Sequence, residues 1–306
     1  MALVVVRPGA STTVQDRGRV GYREFGVPPG GAFDRGSLDL ANVLLGNDPD
    51  AAALELTLVG GIYRADAPLA IALAGAPMSA LIRDPSGPDR PLQIPQSATL
   101  RAGEELVLGG SPFGARTYLA VLGGWRTPVV LGSRSAESRL KPGDVLTGGP
   151  GSTPTRRPVS WPWSPTFPEE PIRVIDGPDA DLGDARLLES GEYRVSARSD
   201  RMGLRLEGPP IPREAEADRA SAPVAPGAVQ IAGGLPIVLG VAGGTMGGYL
   251  HLAHVISADL DRLGQLRPGD PVKFRRIGVE EARRVDRADR MERARWLRII
   301  RSHGDL

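Results

Sequence analysis

Cysteine is absent from this chain of 306 residues, and lysine occurs only at Lys141 and Lys273. Without thiols, disulfides, zinc–thiolate sites and cysteine nucleophiles are excluded. The formal net charge of +1 provides no field that would gather nucleic acid or an anionic membrane surface. No apolar run reaches the length of a membrane span, and Met1–Val6 lacks the basic region of a signal peptide. The sequence therefore predicts a cytoplasmic protein that binds neither nucleic acid nor membrane.

Turn-forming residues are abundant, with 40 glycines and 29 prolines separating short apolar runs. This pattern is typical of strands joined by tight turns. The predicted strands are Leu3–Val6, Ala53–Val59, Leu69–Leu73, Ser79–Ile82, Glu105–Leu108, Thr117–Leu122, Val129–Leu131, Ile172–Ile175, Tyr193–Ser196, Pro236–Val241, Tyr249–Ile256 and Pro271–Arg275.

Few segments have helical spacing. One short helix is predicted to start at Asp34 or Ser37 and to end near Gly46. A long polar helix is predicted over Gly278–His303. Its thin apolar stripe consists of Val285, Ala288, Met291, Ala294 and Leu297. The fold class predicted is mainly β with some α, built from barrel or sandwich lobes.

Three segments of the first half recur in the second half in the same order. Asp16–Gly26 is echoed by Asp200–Gly208, Gly114–Val121 by Gly247–Ala253, and Leu140–Asp144 by Leu266–Asp270. Such a repeat predicts two related lobes. We place the lobes at 1–150 and 172–277, a proline-rich linker at 151–171 and the C-terminal helix at 278–306. Trp161, Trp163 and Phe167 in the linker are predicted to anchor it to a lobe rather than to contact a ligand.

The stretch from Thr12 to Gly61 carries a family resemblance. Its TTVQDRGRVGY opening, the GGAFD turn and the LANVLLGN helix resemble the KipA family, also called allophanate hydrolase subunit 2. That family includes the C-type subunit of ATP-dependent 5-oxoprolinase and is similar to the carboxyltransferase domain of urea carboxylase. The likeness continues through Gly132–Ser135, Ser199–Gly203 and Val255–Asp270. It implies two tandem cyclophilin-like β-barrel lobes, in agreement with the repeat.

The resemblance also implies a function. It predicts a subunit of an ATP-dependent 5-oxoprolinase-like hydrolase that opens a small cyclic amide, active only with a KipI-like B-type subunit and a LamB/YcsF-like A-type subunit. ATP would be used by the complex. One alternative is a regulatory antagonist that sequesters the KipI-like protein. Another is biotin-dependent carboxyl transfer of the urea or allophanate type, which would need a biotin carrier elsewhere because this chain has no biotinylation-type lysine motif.

The loop Ala242–His251 departs from the family. Relatives commonly have Asp-Arg-Gln-Thr-Thr-Gly-Gly-Tyr-Pro-Lys here, whereas this chain keeps only the threonine, the glycines and the tyrosine. The retained residues are predicted to bind substrate: Thr245, Gly247, Gly248 and Tyr249. Histidine replaces a lysine at His251, and histidine is charged only part of the time near neutral pH. The loop also lacks the Lys-Ser/Thr ending of a phosphate-binding loop.

The histidines of the following strand are predicted to differ in role. In a regular strand residues three apart point to opposite faces, so His251 and His254 are not expected to form a metal pair. His254 is interpreted as a core histidine, and His251 is a candidate catalytic residue. The acidic loop Asp176–Asp184 lacks EF-hand spacing and is predicted to be a solvated turn. No metal site is expected.

Four further residues have a functional and a structural interpretation. Arg17, with its repeat Arg201, is predicted to hold a carboxylate or to pin a turn. Ser133 and Arg134 have no counterpart in the second half, which leaves a ligand role open beside a structural one. Asp34 is a candidate general base or the cap of the short helix.

Overall fold

The computed structural model describes residues 1–158, 170–182, 185–212 and 220–302. Trp161, Trp163 and Phe167, the predicted linker anchors, lie outside the described residues, as does Asp184 at the end of the acidic loop. The described residues divide into two compact units. The first is drawn from Met1–Gly18, Gly30–Thr166 and Arg293–Leu306, and the second from Arg19–Pro29 and Phe167–Glu292. The lobe and linker bounds proposed from the sequence stay a prediction.

The first unit is built from two antiparallel sheets and one helix. Its strands are β1 (Ala2–Arg7), β2 (Ser11–Gln15), β3 (Ala53–Thr57), β4 (Val59–Ala65), β5 (Leu69–Gly75), β6 (Ala80–Arg83), β7 (Arg90–Leu92), β8 (Gln96–Leu100), β9 (Glu105–Gly110), β10 (Arg116–Val121) and β11 (Val145–Thr147). The strand orders are β11-β1-β4-β9-β6-β7 and β2-β3-β10-β5-β8.

Leu58 separates two strands that the sequence joins into one. The predicted strand Ala53–Val59 is correct over Ala53–Thr57 but extends too far, because Leu58 has a φ of 63° and the chain leaves β3 for β4 in the other sheet at this residue. A φ in the left-handed region ends extended pairing. The predicted strand Val129–Leu131 is wrong. Val130 and Ser133 instead close a tight turn through two backbone hydrogen bonds, with Leu131 at a φ of 53°.

Helix α1 (Arg35–Leu44) covers the five-stranded sheet of this unit. Asp34 caps it as predicted, because its side chain accepts a hydrogen bond from the Ser37 backbone N–H. The end of helix α4 (Val279–Ser302) packs on the same apolar cluster through Trp296, Leu297 and Ile300. The stripe predicted for α4 is therefore largely wrong: Met291 is 74% exposed, whereas Ile300 is buried.

The second unit is dominated by one eight-stranded sheet. Its strands are β12 (Ile172–Asp176), β13 (Tyr193–Val195), β14 (Gly203–Glu207), β15 (Ala222–Pro223), β16 (Ala228–Ala232), β17 (Leu235–Leu239), β18 (Met246–Gly247), β19 (Leu250–Val255), β20 (Pro271–Val272) and β21 (Phe274–Arg276), with helices α2 (Ala185–Ser190) and α3 (Leu260–Gln265). The sheet order is β20-β13-β14-β17-β16-β19-β12-β21, and β15 pairs separately with β18.

This sheet nearly closes into a barrel. Strands β20 and β21 lie at its opposite edges, yet only Lys273 separates them in the sequence. The predicted strand Pro271–Arg275 is thus two short strands, one pairing with β13 and the other, in parallel, with β12. The prediction of a mainly β chain with barrel-like lobes is confirmed. Among the described helices, none is both long and apolar enough to span a membrane.

The internal repeat is visible in the local structure of each unit. Asp144 Oδ2 accepts a 2.7 Å hydrogen bond from Lys141 N, and Asp270 Oδ2 accepts a 2.8 Å bond from Arg267 N. The glycines between them both have a φ of 88°, a value that L side chains rarely adopt. Equivalent sequences therefore form the same turn, as the repeat predicts.

Candidate functional site

Asp16 is the centre of a hydrogen-bond cluster in the first unit that includes two predicted site residues. Its carboxylate accepts from Ser133 Oγ at 2.6 Å, Arg134 N at 2.6 Å, Ser135 Oγ at 2.6 Å and Gly18 N at 2.8 Å. Burial raises the pKa of Asp16, but these four hydrogen bonds outweigh it and hold the pKa below its ordinary value. The contacts favour a structural role for Ser133 and for the Arg134 backbone, and their predicted ligand role stays a prediction.

Arg17 and Asp34 are also engaged by their own unit. Arg17 Nη2 donates to Asp39 at 2.8 Å, and Arg17 Nε lies 2.5 Å from Asp50. Asp34 accepts from Ser37 N at 2.9 Å and from Ser37 Oγ at 2.6 Å. These contacts agree with the interpretation of Arg17 as a residue that pins a turn and of Asp34 as the cap of a helix. A carboxylate-binding role for Arg17 and a general-base role for Asp34 remain untested predictions.

A buried acid, Glu55 on β3, organises the space beside α1. It is 1% exposed and accepts from Tyr118 Oη at 2.6 Å, from Phe33 N at 3.0 Å and from Arg116 Nε at 3.3 Å. The Arg116 guanidinium also lies over the Phe33 ring, 4.6 Å from its centroid. Burial, followed by the charge of Glu55, raises the pKa of Tyr118 well above 10, so this phenol stays neutral.

In the second unit, His251 and His254 form a pair that the strand periodicity does not predict. His254 Nδ1 lies 3.4 Å from His251 Nε2, and the ring centroids are 5.5 Å apart. The reason is a β-bulge: β16 pairs Val229 with Ala253 but Gln230 with His251, so β19 carries one extra residue. A bulge of this kind returns side chains three residues apart to the same face. The expectation of opposite faces is therefore wrong.

The environment keeps both rings neutral. Burial lowers the pKa of His251, against smaller opposing effects of Asp179 and of a hydrogen bond to the Ala253 backbone. Burial, and then the neighbouring charge of His251, lowers the pKa of His254 to about 4. The His254 ring also bonds to the Pro226 backbone, which offers only its carbonyl because proline has no N–H. At neutral pH both rings are therefore uncharged, and they face each other across the contact of His254 Nδ1 with His251 Nε2.

Gln230 adjoins this pair, and no sequence motif singles it out. Since Gln230 and His251 are direct cross-strand partners, their side chains lie on the same face of the sheet. Gln230 is 4% exposed, and its Nε2 atom has no hydrogen-bond partner among the described residues. A buried donor without a partner costs about 1–3 kcal/mol, so such groups are rare. A glutamine in a β-rich run gives no sequence signal for this property.

The predicted substrate-binding loop lies against the Gln230 amide. A Cβ atom at Gly247 would meet Gln230 Nε2 at 2.6 Å, so only glycine lets the backbone approach this closely without displacing the amide. Thr245 is 8% exposed, and its carbonyl accepts from Val224 N. Gly248 is exposed, and Tyr249 is 53% exposed. The structure thus gathers Gly247, His251 and Gln230, whereas the Tyr249 side chain faces solvent.

Two charged residues flank the cluster. Asp179 Oδ2 accepts a 2.8 Å hydrogen bond from His251 N. Arg23 donates from Nη2 to the Val224 carbonyl and is close enough to His254 to disfavour protonation of its ring. The cluster therefore has one negatively charged and one positively charged side chain at its borders and neutral groups at its centre. In the described part of the chain, no three His, Asp or Glu side chains group to hold a metal ion.

Comparison with known proteins agrees with these features. Residues 25–276 match the family described as "Carboxyltransferase domain, subdomain A and B". The chain belongs to this carboxyltransferase domain family. The resemblance noted from the sequence motifs is therefore confirmed.

The relatives of this carboxyltransferase domain fall into two groups. The chain is 33% identical to the C-type subunit of 5-oxoprolinase from Escherichia coli, over 96% of the chain and 98% of that protein. It is also 33% identical to urea amidolyase of Lachancea kluyveri, over 93% of the chain but 17% of that protein. The crystal structure of the K. lactis urea amidolyase superimposes with a TM-score of 0.85 at 29% identity, covering 100% of this chain and 20% of that one.

The histidine pair of this carboxyltransferase domain predicts a pH-dependent stability. Since the pKa of His254 falls from 6.5 to about 4 on folding, the folded state resists protonation that the unfolded state accepts. The contribution of neutral His254 to the free energy of unfolding is fully present above pH 6.5. It is lost as the pH falls from 6.5 towards 4, by about 3 kcal/mol in total. Urea unfolding between pH 7.5 and 5 measures it.

The control is His254→Gln, which removes the titrating group while keeping a polar side chain. Its free energy of unfolding should fall less steeply than that of the unmodified chain between pH 6.5 and 5, where ordinary carboxylates are still largely ionised. Equal slopes for the two proteins would contradict a depressed histidine pKa.

Proposed function

We propose that this chain is the C-type subunit of an ATP-dependent 5-oxoprolinase-like hydrolase, which opens the ring amide of 5-oxoproline to give glutamate. The observation that carries the proposal is the match to the C-type 5-oxoprolinase subunit over 96% of the chain and 98% of that relative. The urea amidolyase relative is matched over only 17% of its length. We place the complex in the cytoplasm.

The second-unit cluster supports amide chemistry. A ring amide resists direct hydrolysis, and phosphorylation of its carbonyl oxygen by ATP would create a good leaving group. His251, with its neutral ring beside His254, is our candidate for moving a proton during ring opening. Gly247 brings its backbone against the Gln230 amide next to this pair. We assign the binding of the substrate amide to this cluster.

Nucleotide binding is assigned to another protein of the complex. The glycine-rich loop of this chain joins strand β17 to strand β18, so no helix N-terminus follows it to hold phosphate groups. ATP therefore does not fit this loop. The partners proposed are a KipI-like B-type subunit and a LamB/YcsF-like A-type subunit.

Reconstitution tests the proposal. The chain is co-expressed with the KipI-like and LamB/YcsF-like proteins of its own source, and glutamate release from 5-oxoproline is measured with and without ATP. We expect release that requires ATP and all three proteins. Each protein omitted in turn is the control.

Two other results would contradict the proposal and select an alternative. A stable complex with the KipI-like protein but no glutamate release would favour a regulatory antagonist. Transfer from carboxybiotin on a cognate carrier, without hydrolysis of 5-oxoproline, would favour a biotin-dependent carboxyltransferase.

A further inference from the structure

The side-chain amide of Gln230 is the buried polar group in the second unit that most needs an external partner. Its Nε2 atom is buried and bonds to none of the described residues. The residue is 4% exposed, so bulk water does not supply the missing acceptor. An unpaired donor at this depth is expensive, and a ligand that accepts its hydrogen bond would recover that cost on binding.

The surroundings of this amide define the shape of the missing partner. His251 is the cross-strand neighbour of Gln230 on one side, and the Gly247 backbone covers the amide on the other. His251 is half-buried, and the neighbouring Met246 and Gly248 are exposed, so the cluster opens to solvent beside the loop. A small group that reaches this amide would meet its N–H donor beside the His251 ring.

The charges around the cluster favour an uncharged ligand group. His251 and His254 are both neutral at pH 7, and Asp179 places a carboxylate behind the His251 backbone. Arg23 lies at the border, where it donates to the Val224 carbonyl. A carboxylate buried against Gln230 would lose its hydration, and the nearby cation, Arg23, already donates to the Val224 carbonyl, whereas an amide carbonyl needs only one good donor.

We propose that Gln230 is a substrate-recognition residue whose Nε2–H donates a hydrogen bond to the carbonyl oxygen of an uncharged amide, held between Gly247 and His251. The carbonyl oxygen of a ring amide would accept the hydrogen bond from Gln230 Nε2, with the His251 ring beside it. The inference rests on the proposed function, since it assigns the reacting amide of that substrate to these residues.

The test uses the assembled three-protein complex without ATP, titrated calorimetrically with three probes. 5-Oxoproline carries both a ring amide and a carboxylate, 2-pyrrolidinone carries the ring amide alone, and proline carries the carboxylate without the ring carbonyl. We expect Gln230→Met to weaken 5-oxoproline and 2-pyrrolidinone about tenfold, the effect of one lost hydrogen bond. Proline should bind weakly to both proteins.

Thermal stability separates recognition from a structural role. Because Nε2 is unpartnered, an apolar side chain of similar volume should leave the melting temperature unchanged or raise it. Gln265→Met, the same change at a second buried glutamine of this unit, is the matched control and should leave the affinities unchanged. Unchanged ligand affinities in Gln230→Met would overturn the proposal, as would affinities that fall together with the melting temperature.

Gly247→Ala provides an independent variant. The new methyl group would displace the Gln230 amide, since their atoms would otherwise lie 2.6 Å apart, and affinity for both ring amides should fall as it does in Gln230→Met. Full affinity in this variant would also count against the proposal.

Activity separates this inference from the proposed function. If the complex opens 5-oxoproline and the Gln230→Met complex does so equally well, the inference about Gln230 fails while the proposed function stands. If 2-pyrrolidinone binding depends on Gln230 but nothing is hydrolysed, the proposed function fails alone.

Discussion

Asp16→Ala is expected to lower the free energy of unfolding by about 3–5 kcal/mol. The carboxylate accepts four hydrogen bonds, from Ser133 Oγ, Ser135 Oγ, Arg134 N and Gly18 N. All four donors would lose a charged acceptor at once, in a place where Ser133 and Ser135 are 1% and 2% exposed. This cost is a large part of the roughly 5–15 kcal/mol that stabilises a typical domain. Urea unfolding at pH 7 measures it.

The internal repeat offers a matched control for this experiment. Asp200 occupies the equivalent turn, but it is exposed, and among the described residues its Oδ1 accepts from the backbone of Met202 and Gly203 at 2.8 and 3.3 Å. Asp200→Ala should therefore cost about 1 kcal/mol. Similar losses for the two variants would contradict the view that the serine cluster makes Asp16 special.

The same cluster predicts acid sensitivity. The pKa of Asp16 is lower in the folded chain than in the unfolded chain, so its stabilisation is present above the unfolded pKa of about 3.9. It is lost as the pH falls through the lower folded value. Asp16→Asn should lower the free energy of unfolding at pH 7, and the further decrease of that free energy below pH 4 should be smaller than in the unmodified chain.

Ser133 and Arg134 show what local sequence cannot reveal. Their lack of a counterpart in the second half suggests a ligand role, yet their partner is Asp16, 117 and 118 residues away in the sequence. A hydrogen bond over that separation depends on the folded topology and leaves no pattern near either residue. The turn-pinning interpretation of Arg17, by contrast, follows from the repeat and agrees with its ion pairs to Asp39 and Asp50.

Many strands could be predicted from the glycine and proline residues that separate them, and their predicted and observed ends differ by one or two residues, but β2, β4, β8, β14 and β16 are among the strands that were not predicted. Two of the errors lie where a single residue adopts an unusual backbone conformation. Leu58 and Leu131 have positive φ values, and nothing in the sequence predicts this conformation for a leucine. The face of α4 was misplaced for another reason: its few apolar residues form a weak stripe, so Trp296 and Ile300 decide its packing.

The candidate site was only partly predictable. The glycine-rich loop and His251 stand out by composition, and the structure brings Gly247 and His251 to the same cluster. The pairing of His251 with His254 depends on a bulge, which strand periodicity assumes to be absent. Gln230 becomes conspicuous only when its amide is found buried and unpartnered.

Glu55→Ala is expected to be the second strongly destabilising change, costing about 3–5 kcal/mol. Glu55 is 1% exposed, and its removal withdraws the acceptor of Tyr118 Oη and Phe33 N and the counter-charge of Arg116, which is 5% exposed. A buried guanidinium deprived of its carboxylate is costly because little solvent reaches it. Chemical denaturation at neutral pH measures the loss.

Two variants of the same unit bracket this result. Glu105→Ala breaks an ion pair with Arg83, which is 48% exposed, and should cost less than about 1 kcal/mol. Tyr118→Phe removes only the hydroxyl that donates to Glu55 and accepts from Asp34 N, and should cost about 1–2 kcal/mol. A Glu55→Ala loss as small as that of Glu105→Ala would contradict the buried network. Since Glu55 supports the helix cap at Asp34 while Gln230 faces a ligand, Glu55→Ala should reduce the amount of folded protein, whereas Gln230→Met should reduce affinity at full stability.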